Sequence, residues 1–184
     1  VGVGAMAALL GLDFETAQGV AADAAGAQVC DTANDNAPGQ VVVSGNVEAV
    51  ERAVELAKER GARRPMLLPV SAPFHCALMQ PAADIMAEAL EAAPPTAPAV
   101  PLIANVSAEA VSDPDEIRDL LVRQVTAMVR WRESVLYLKD QDVDNLVEIG
   151  AGKVLTTMLK RIDKEISGQT INGPDEIEAF LKSM

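Results

Sequence analysis

Apolar and polar positions divide the chain into short apolar runs separated by amphipathic stretches. Ala5 to Leu10 is apolar throughout and reads as a buried strand. Asp13 is placed to cap a helix over Phe14 to Ala25, which Gly26 ends. Val29 to Asp35 reads as a second strand, weakened by Asp31 and Asn34. Ala37-Pro38-Gly39-Gln40 is a turn, because proline presets φ at its second position and glycine supplies positive φ at its third. Val41-Val42-Val43 is the partner strand. Asn46 is set to cap a helix with Val47, Val50, Val54 and Ala57 on one face. That helix pairs Glu48 with Arg52 and stops at Gly61. Met66 to Val70 is the fourth strand, and the order βαββαβ is the ferredoxin-like arrangement.

Past Val70 the texture changes. Pro81 to Ala93 has helical spacing, with Ile85, Met86, Ala89 and Leu90 on one side. A connector rich in proline (Pro94, Pro95, Pro98) leads to a strand at Val100 to Val106. Asp113-Pro114-Asp115-Glu116 opens a helix through Leu120 and Leu121 toward Met128, and another helix covers Trp131 to Lys139. Leu146 to Ile149 is a strand feeding Gly150-Ala151-Gly152 and a helix from Lys153 to Ile162. A short strand at Thr170-Ile171 and a helix from Pro174 onward follow. Strands alternating with helices predict a parallel sheet covered on both faces. About three strands are few for such a sheet, whose mean size is ~5–6, so part of it is expected to be missing. The chain also opens Val1-Gly2-Val3-Gly4, without an initiator Met and already in a strand-like run; its natural start is expected upstream.

Composition narrows the function. Apolar residues make up 49% of 184, enough for a real core, and aromatics at 3% make that core aliphatic and alanine-rich. A net charge of −12 opposes binding to a nucleic-acid backbone or an anionic membrane. No apolar run reaches the ~18 residues of a membrane span, and no secretory signal is visible. The two cysteines, Cys30 and Cys76, make no disulfide framework and point to a reducing cytoplasm. One histidine and two distant cysteines argue against a zinc site.

That histidine, His75, lies in Pro69-Val70-Ser71-Ala72-Pro73-Phe74-His75-Cys76-Ala77-Leu78-Met79, just past the fourth strand. Imidazole titrates near pH ~6.5 and suits proton transfer at neutral pH; the alternative is a histidine that only packs in a loop. A histidine base needs a nucleophile, and Ser71, Ser44 and Cys76 are all poor candidates. Cys76 adjoins His75, so on extended backbone the two side chains point apart. No G-x-S-x-G elbow occurs. Gly150-Ala151-Gly152-Lys153 before a helix invites a phosphate-loop reading, but it lacks the full motif and fits a tight structural turn as well.

Four segments in order carry a resemblance. They are Ala5-Met6-Ala7-Ala8, the run from Asn36-Ala37-Pro38-Gly39-Gln40 to Ser44-Gly45, the segment around His75, and Glu148-Ile149-Gly150-Ala151-Gly152-Lys153-Val154-Leu155. Together they resemble the bacterial malonyl-CoA:acyl carrier protein transacylases over the length of the chain. The resemblance implies an α/β fold in which a ferredoxin-like subdomain, residues 1–70, interrupts an α/β-hydrolase-like parallel-sheet domain whose C-terminal part is 71–184. It makes His75 the catalytic base and Gln124 the residue whose backbone carbonyl orients it, so that the Gln124 side chain by itself says little. Asn36 would line the pocket, and Phe74 would fill the space an α-methyl group would need, although a core role for that ring is equally open. Ala37 and Ala151 depart from the family's usual Ser and Pro, both in turns.

The family's G-H-S-x-G elbow, its G-Q-G-S-Q segment and its malonyl-binding arginine are absent from this sequence. The resemblance therefore implies an enzyme whose nucleophilic serine lies upstream, and the 184 residues alone are expected to be inactive. The implied reaction moves malonyl from malonyl-CoA to the phosphopantetheine thiol of acyl carrier protein in fatty acid biosynthesis. It needs no metal or redox cofactor and no nucleic acid or membrane, in a cytoplasmic, monomeric protein. Arg63 and Arg64, with Lys153, Lys160 and Arg161, are expected to rim the mouth of the site and receive the acidic carrier. The competing reading is a ferredoxin-like module that binds a small ligand or regulates a partner, with His75 inert.

Overall fold

The computed structural model describes residues 4–183, so the ends of the expected ranges 1–70 and 71–184 lie outside the described residues. It forms two compact units, Val1–Ser134 and Val135–Met184.

The first unit opens with β1 (Gly4–Leu10), α1 (Phe14–Ala25), β2 (Cys30–Ala37), β3 (Gln40–Asn46), α2 (Val47–Glu59) and β4 (Arg64–Leu67). Its four-stranded sheet has the order β2-β3-β1-β4, with every neighbouring pair antiparallel. That is the ferredoxin-like topology expected from the βαββαβ order. Alternation along the central strands supplies both faces. Ala7, Leu9, Val41 and Val43 pack against Val20 of α1 and Val50 of α2, while Met6, Ala8, Ala33 and Val42 bury on the opposite face. Because both faces are covered, β1 and β3 read as unbroken apolar runs rather than as alternating ones. Small residues (Ala17, Ala21, Ala24, Ala49, Ala53, Ala57) let the helices sit close, and each is at most 3% exposed.

Most local signals hold. The Asp13 carboxylate accepts from Thr16 N–H at 2.8 Å and caps α1. Gly39 takes φ +73° in the β2–β3 turn, as the Pro-Gly pair requires. Two side chains behave differently from expectation. Asn46 precedes α2 but makes no side-chain cap; its Oδ1 accepts from Val29 N–H at 2.9 Å. Arg52 is not paired with Glu48. It reaches the α1 C-terminus instead, donating to Ala24 O at 2.7 and 3.0 Å, where orphan carbonyls and the helix dipole favour a cation.

The fourth strand is earlier and shorter than Met66 to Val70. It spans Arg64–Leu67, at the sheet edge, where Pro65 opposite Leu9 can be tolerated. Pro69 has no N–H for the ladder and forces Leu68 out of the αR region, so pairing stops and a loop begins.

The remainder of this unit holds a short 3₁₀ turn (Ala77–Met79), α3 (Gln80–Ala92), β5 (Leu102–Ile103), β6 (Ala110–Val111) and α4 (Pro114–Arg123). The strand expected at Val100 to Val106 shrinks to β5, which pairs antiparallel with β6 around a turn at Ala108, φ +57°. Ala104, Val111, Ile117 and Leu120 form a small core beneath it. Asp113 caps α4 through Glu116 N–H at 2.9 Å. α4 stops at Arg123, short of Met128.

The division between units falls within α5 (Trp131–Asp140). The second unit adds β7 (Asn145–Ile149), α6 (Val154–Ile162), β8 (Ser167–Ile171) and α7 (Pro174–Ser183). β7 and β8 are parallel and two-stranded, joined by α6. Gly168 lets α6 close on β8, since a Cβ there would meet Leu159 Cδ1 at 2.7 Å. Lys139 bonds Asp163 and Glu165, and these partners push its pKa up to about 12.

Candidate active site

Between β4 and the 3₁₀ turn, residues 68–76 form a loop on the sheet face opposite the helices. Pro69 and Pro73 hold the chain extended on either side of Val70-Ser71-Ala72. Val70 N–H bonds Leu68 O at 2.9 Å and Phe74 N–H bonds Ala72 O at 3.1 Å, tightening it further. Three anchors seat the loop. Pro73 packs on Gly4, where a Cβ would lie 2.3 Å from its ring. The Cys76 thiol, fully buried, donates to Pro73 O at 3.1 Å. Ala77 N–H donates to the Asp31 carboxylate at 3.2 Å.

Between these anchors His75 adopts φ +59°, a left-handed conformation costing roughly 1–2 kcal/mol for a residue with a Cβ. Such strain persists only where the surroundings over-determine it. It turns the imidazole away from Cys76 and toward the end of α4. There His75 Nδ1 lies 2.8 Å from the carbonyl oxygen of Gln124. A carbonyl can only accept, so Nδ1 carries the proton and Nε2 keeps its lone pair. Gln124 is the C-cap of α4, and its carbonyl sits at the negative end of the helix dipole. That setting suits a ring that turns positive when it takes a proton.

The segment carrying this carbonyl is itself strapped down. Val129 bridges to Asn34 in parallel register: its N–H bonds Ala33 O, and Asp35 N–H bonds Val129 O, both at 2.9 Å. Asp35, 1% exposed, pairs with Arg132, which donates from Nε at 2.9 Å and from a terminal nitrogen 2.7 Å away. The Asp35 bond comes first among the causes holding the Arg132 pKa above its ordinary value. Within the segment, Gln124 Oε1 accepts from Asn105 Nδ2 at 2.8 Å, and Asn105 O accepts from Arg130 N–H at 3.0 Å. The Gln124 side chain, which by itself says little in the sequence, has a partner of its own. Asn105, Asp35 and Arg132 were not singled out from sequence. The one visible signal was an acid at position 35 inside a strand.

The other expected residues divide clearly. Phe74 is 41% exposed beside His75. Asn36 is half-buried in β2, where the β2–β3 register shifts between Asp35 and Ala37. Ser44 is fully buried beside Cys76, whose thiol pKa burial raises. Ser71 is exposed on the loop. Neither serine nor Cys76 bonds the imidazole; among the described residues its hydrogen bond is the one to Gln124. A cavity of about 790 Å³ runs along α2 between Glu48, Arg52, Glu55 and Leu67, and His75 does not line it.

In the second unit Gly150 and Gly152 take φ +136° and +95° in the turn before α6. The free N–H groups at the start of α6 are already used. The Glu148 carboxylate accepts from Thr156 N–H at 2.8 Å, Thr156 Oγ1 at 2.6 Å and Leu155 N–H at 3.2 Å. The Thr156 hydroxyl, then its N–H, holds Glu148 below the ordinary carboxylate range. An internal anion occupies the place a phosphate would take, and the glycine pair is a structural turn. Arg63 precedes β4 and Arg64 begins it, both exposed; Lys153 precedes α6, and Lys160 and Arg161 lie in its last turn.

A histidine with one ring nitrogen held by a main-chain carbonyl, and no other hydrogen bond among the described residues, is equipped to accept a proton at the second nitrogen. The chain belongs to the acyl transferase domain family, whose model matches residues 2–177. Within it, the chain is 46% identical to the malonyl CoA-acyl carrier protein transacylase of Escherichia coli K12 over 181 residues, 98% of this chain and 59% of that protein. The acyl-carrier-protein-S-malonyltransferase of Bartonella henselae superposes over the whole chain with TM-score 0.94 at 52% identity, covering 58% of that structure. A malonyl-transacylase solved in complex with a type II polyketide acyl-carrier protein superposes with TM-score 0.95 at 41% identity over 100% of this chain and 59% of that one. The chain thus spans about 59% of the length of the curated relatives it matches. The fold is α/β, a ferredoxin-like subdomain followed by part of an α/β-hydrolase-like domain. No helix among the described residues is long and apolar enough to cross a membrane.

Proposed function

We propose that the chain serves a malonyl-CoA:acyl carrier protein transacylase of fatty acid biosynthesis, working by a ping-pong mechanism. A serine hydroxyl attacks the malonyl thioester while His75 Nε2 takes its proton; the C–S bond breaks and CoA leaves as the thiol with that proton. The carrier's phosphopantetheine thiol then gives its proton to His75 and attacks the malonyl-serine ester, and the serine oxygen regains the proton as it leaves. No step calls for a metal or redox group. The observation that carries this reading is the His75 ring, turned out by a left-handed backbone and held through Nδ1 on the Gln124 carbonyl.

On this reading the attacking serine lies outside these 184 residues; the lack of a G-x-S-x-G elbow in them and the burial of Ser44 support it. Residues 1–70 act as the inserted subdomain and 71–184 as part of the catalytic domain. Asn36 lines the acyl pocket, and Phe74, exposed next to the base, disfavours acyl groups branched at the α-carbon. Arg63 and Arg64 form one cationic docking group for the acidic carrier, and Lys153, Lys160 and Arg161 another; the carrier-bound relative supports such a partner. The working form is a cytoplasmic monomer.

The test is His75→Ala in the full-length protein, assayed for malonyl transfer from malonyl-CoA to the carrier. Transfer falls by roughly 10²–10⁴-fold, the usual worth of a general base, with the fold retained. Near-normal transfer by a folded variant refutes the assignment.

A further inference from the structure

The residue that orients His75 is oriented in turn. Its carbonyl belongs to a C-cap peptide, and helix ends fray unless something beyond the backbone ladder holds them. Gln124 sits there, half-buried, with its side chain bonded to Asn105 at 2.8 Å. Asn105 also holds the far end of the same segment through its main-chain bond to Arg130. Rotation of the Gln124 peptide would move the acceptor of the imidazole directly. We propose that Asn105 is a positioning residue for His75: its amide latches the Gln124 side chain and so fixes the carbonyl that keeps the ring in the Nδ1–H tautomer.

The chemistry follows from the proton count on the ring. With the acceptor in place, Nδ1 holds the proton and Nε2 has a lone pair for the incoming hydroxyl or thiol. With the acceptor displaced, the neutral ring also populates the Nε2–H form, which cannot accept a proton at that nitrogen. Truncating the Asn105 side chain leaves its main-chain bond to Arg130 intact. It also leaves Arg130 held by Ser107 O at 3.3 Å and by Glu133, so the entrance to α5 keeps its own supports.

The effect on transfer rests on the reading of His75 as the base, but the tautomer can be read without turnover. Long-range ¹H–¹⁵N correlation on the full-length protein reports it, with the His75 ring identified by its loss in His75→Gln. The native ring is expected in the Nδ1–H form. Asn105→Ala, and Gln124→Met, which keeps the length but removes the acceptor, both shift it toward a mixture. Both lower kcat for transfer by roughly 10–100-fold, the scale of a small misplacement of a catalytic group, with KM for malonyl-CoA unchanged. Gln124→Glu still offers an oxygen to Asn105 Nδ2 and restores both readouts. The double variant is no worse than either single one, because both remove the same bond. An unchanged tautomer in folded Asn105→Ala or in Gln124→Met overturns the latch, whatever happens to the rate. A shifted tautomer with undiminished transfer supports the latch and refutes His75 as the base.

Discussion

Arg132→Met isolates what the buried ion pair contributes. Asp35 is 1% exposed, and the nearest Arg132 nitrogen lies 2.7 Å from its Oδ2. At an effective dielectric of about 20, unit charges that close attract by about 6 kcal/mol. Desolvation offsets part of this, and Asp35 Oδ1 has no hydrogen-bond partner to help. Removing one member of such a pair typically costs about 3–5 kcal/mol, because the other charge stays buried and uncompensated. A domain has only ~5–15 kcal/mol to lose. The loss should be local as well as global, since Asp35 also holds Val129 through its N–H. The assay is denaturant unfolding of the full-length protein at neutral pH, with limited proteolysis to find which bonds open first. Arg132→Met should lower the midpoint by the equivalent of about 3–5 kcal/mol and expose the 124–130 segment to cleavage. Asp35→Leu combined with Arg132→Met should recover most of the loss, because no charge is then left buried. A cost below about 1 kcal/mol for Arg132→Met would place the pair with ordinary surface ion pairs and refute the reasoning.

Two further outcomes are expected. Reversing Arg63 and Arg64 to Glu should raise KM for the acidic carrier and leave that for malonyl-CoA unchanged; equal effects on both substrates would count against docking there. Glu148→Ala should destabilise the second unit in a pH-dependent way. The folded carboxylate lies below its ordinary 4.5, so its stabilising effect is complete above that value and is lost as pH falls through the lowered folded one. Thermal melts should therefore separate variant from native protein at pH 7 and converge in acid; a gap that is constant with pH would mean the Glu148 charge is not what caps α6.

What the sequence determined by itself was local. Asp13 and Asp113 cap helices, Pro38-Gly39 turns a hairpin, and the βαββαβ order yields the antiparallel sheet, because each signal acts over a few residues or follows from the periodicity of an element. His75 stood out as the only imidazole in the chain, and the resemblance supplied its orienter. Where local rules failed, a distant group had a stronger claim. Asn46 gave up its cap for Val29 N–H, and Arg52 left Glu48 for the carbonyls ending α1. No local rule joins His75 to Gln124, 49 positions apart, a pair that only the resemblance foretold, and only the tertiary structure brought together Asp35 and Arg132, 97 apart. Those pairs depend on which strand edge the 124–130 segment lies against. No periodicity records that choice, since it is made by whatever buries the most apolar surface while leaving the fewest polar groups unpaired.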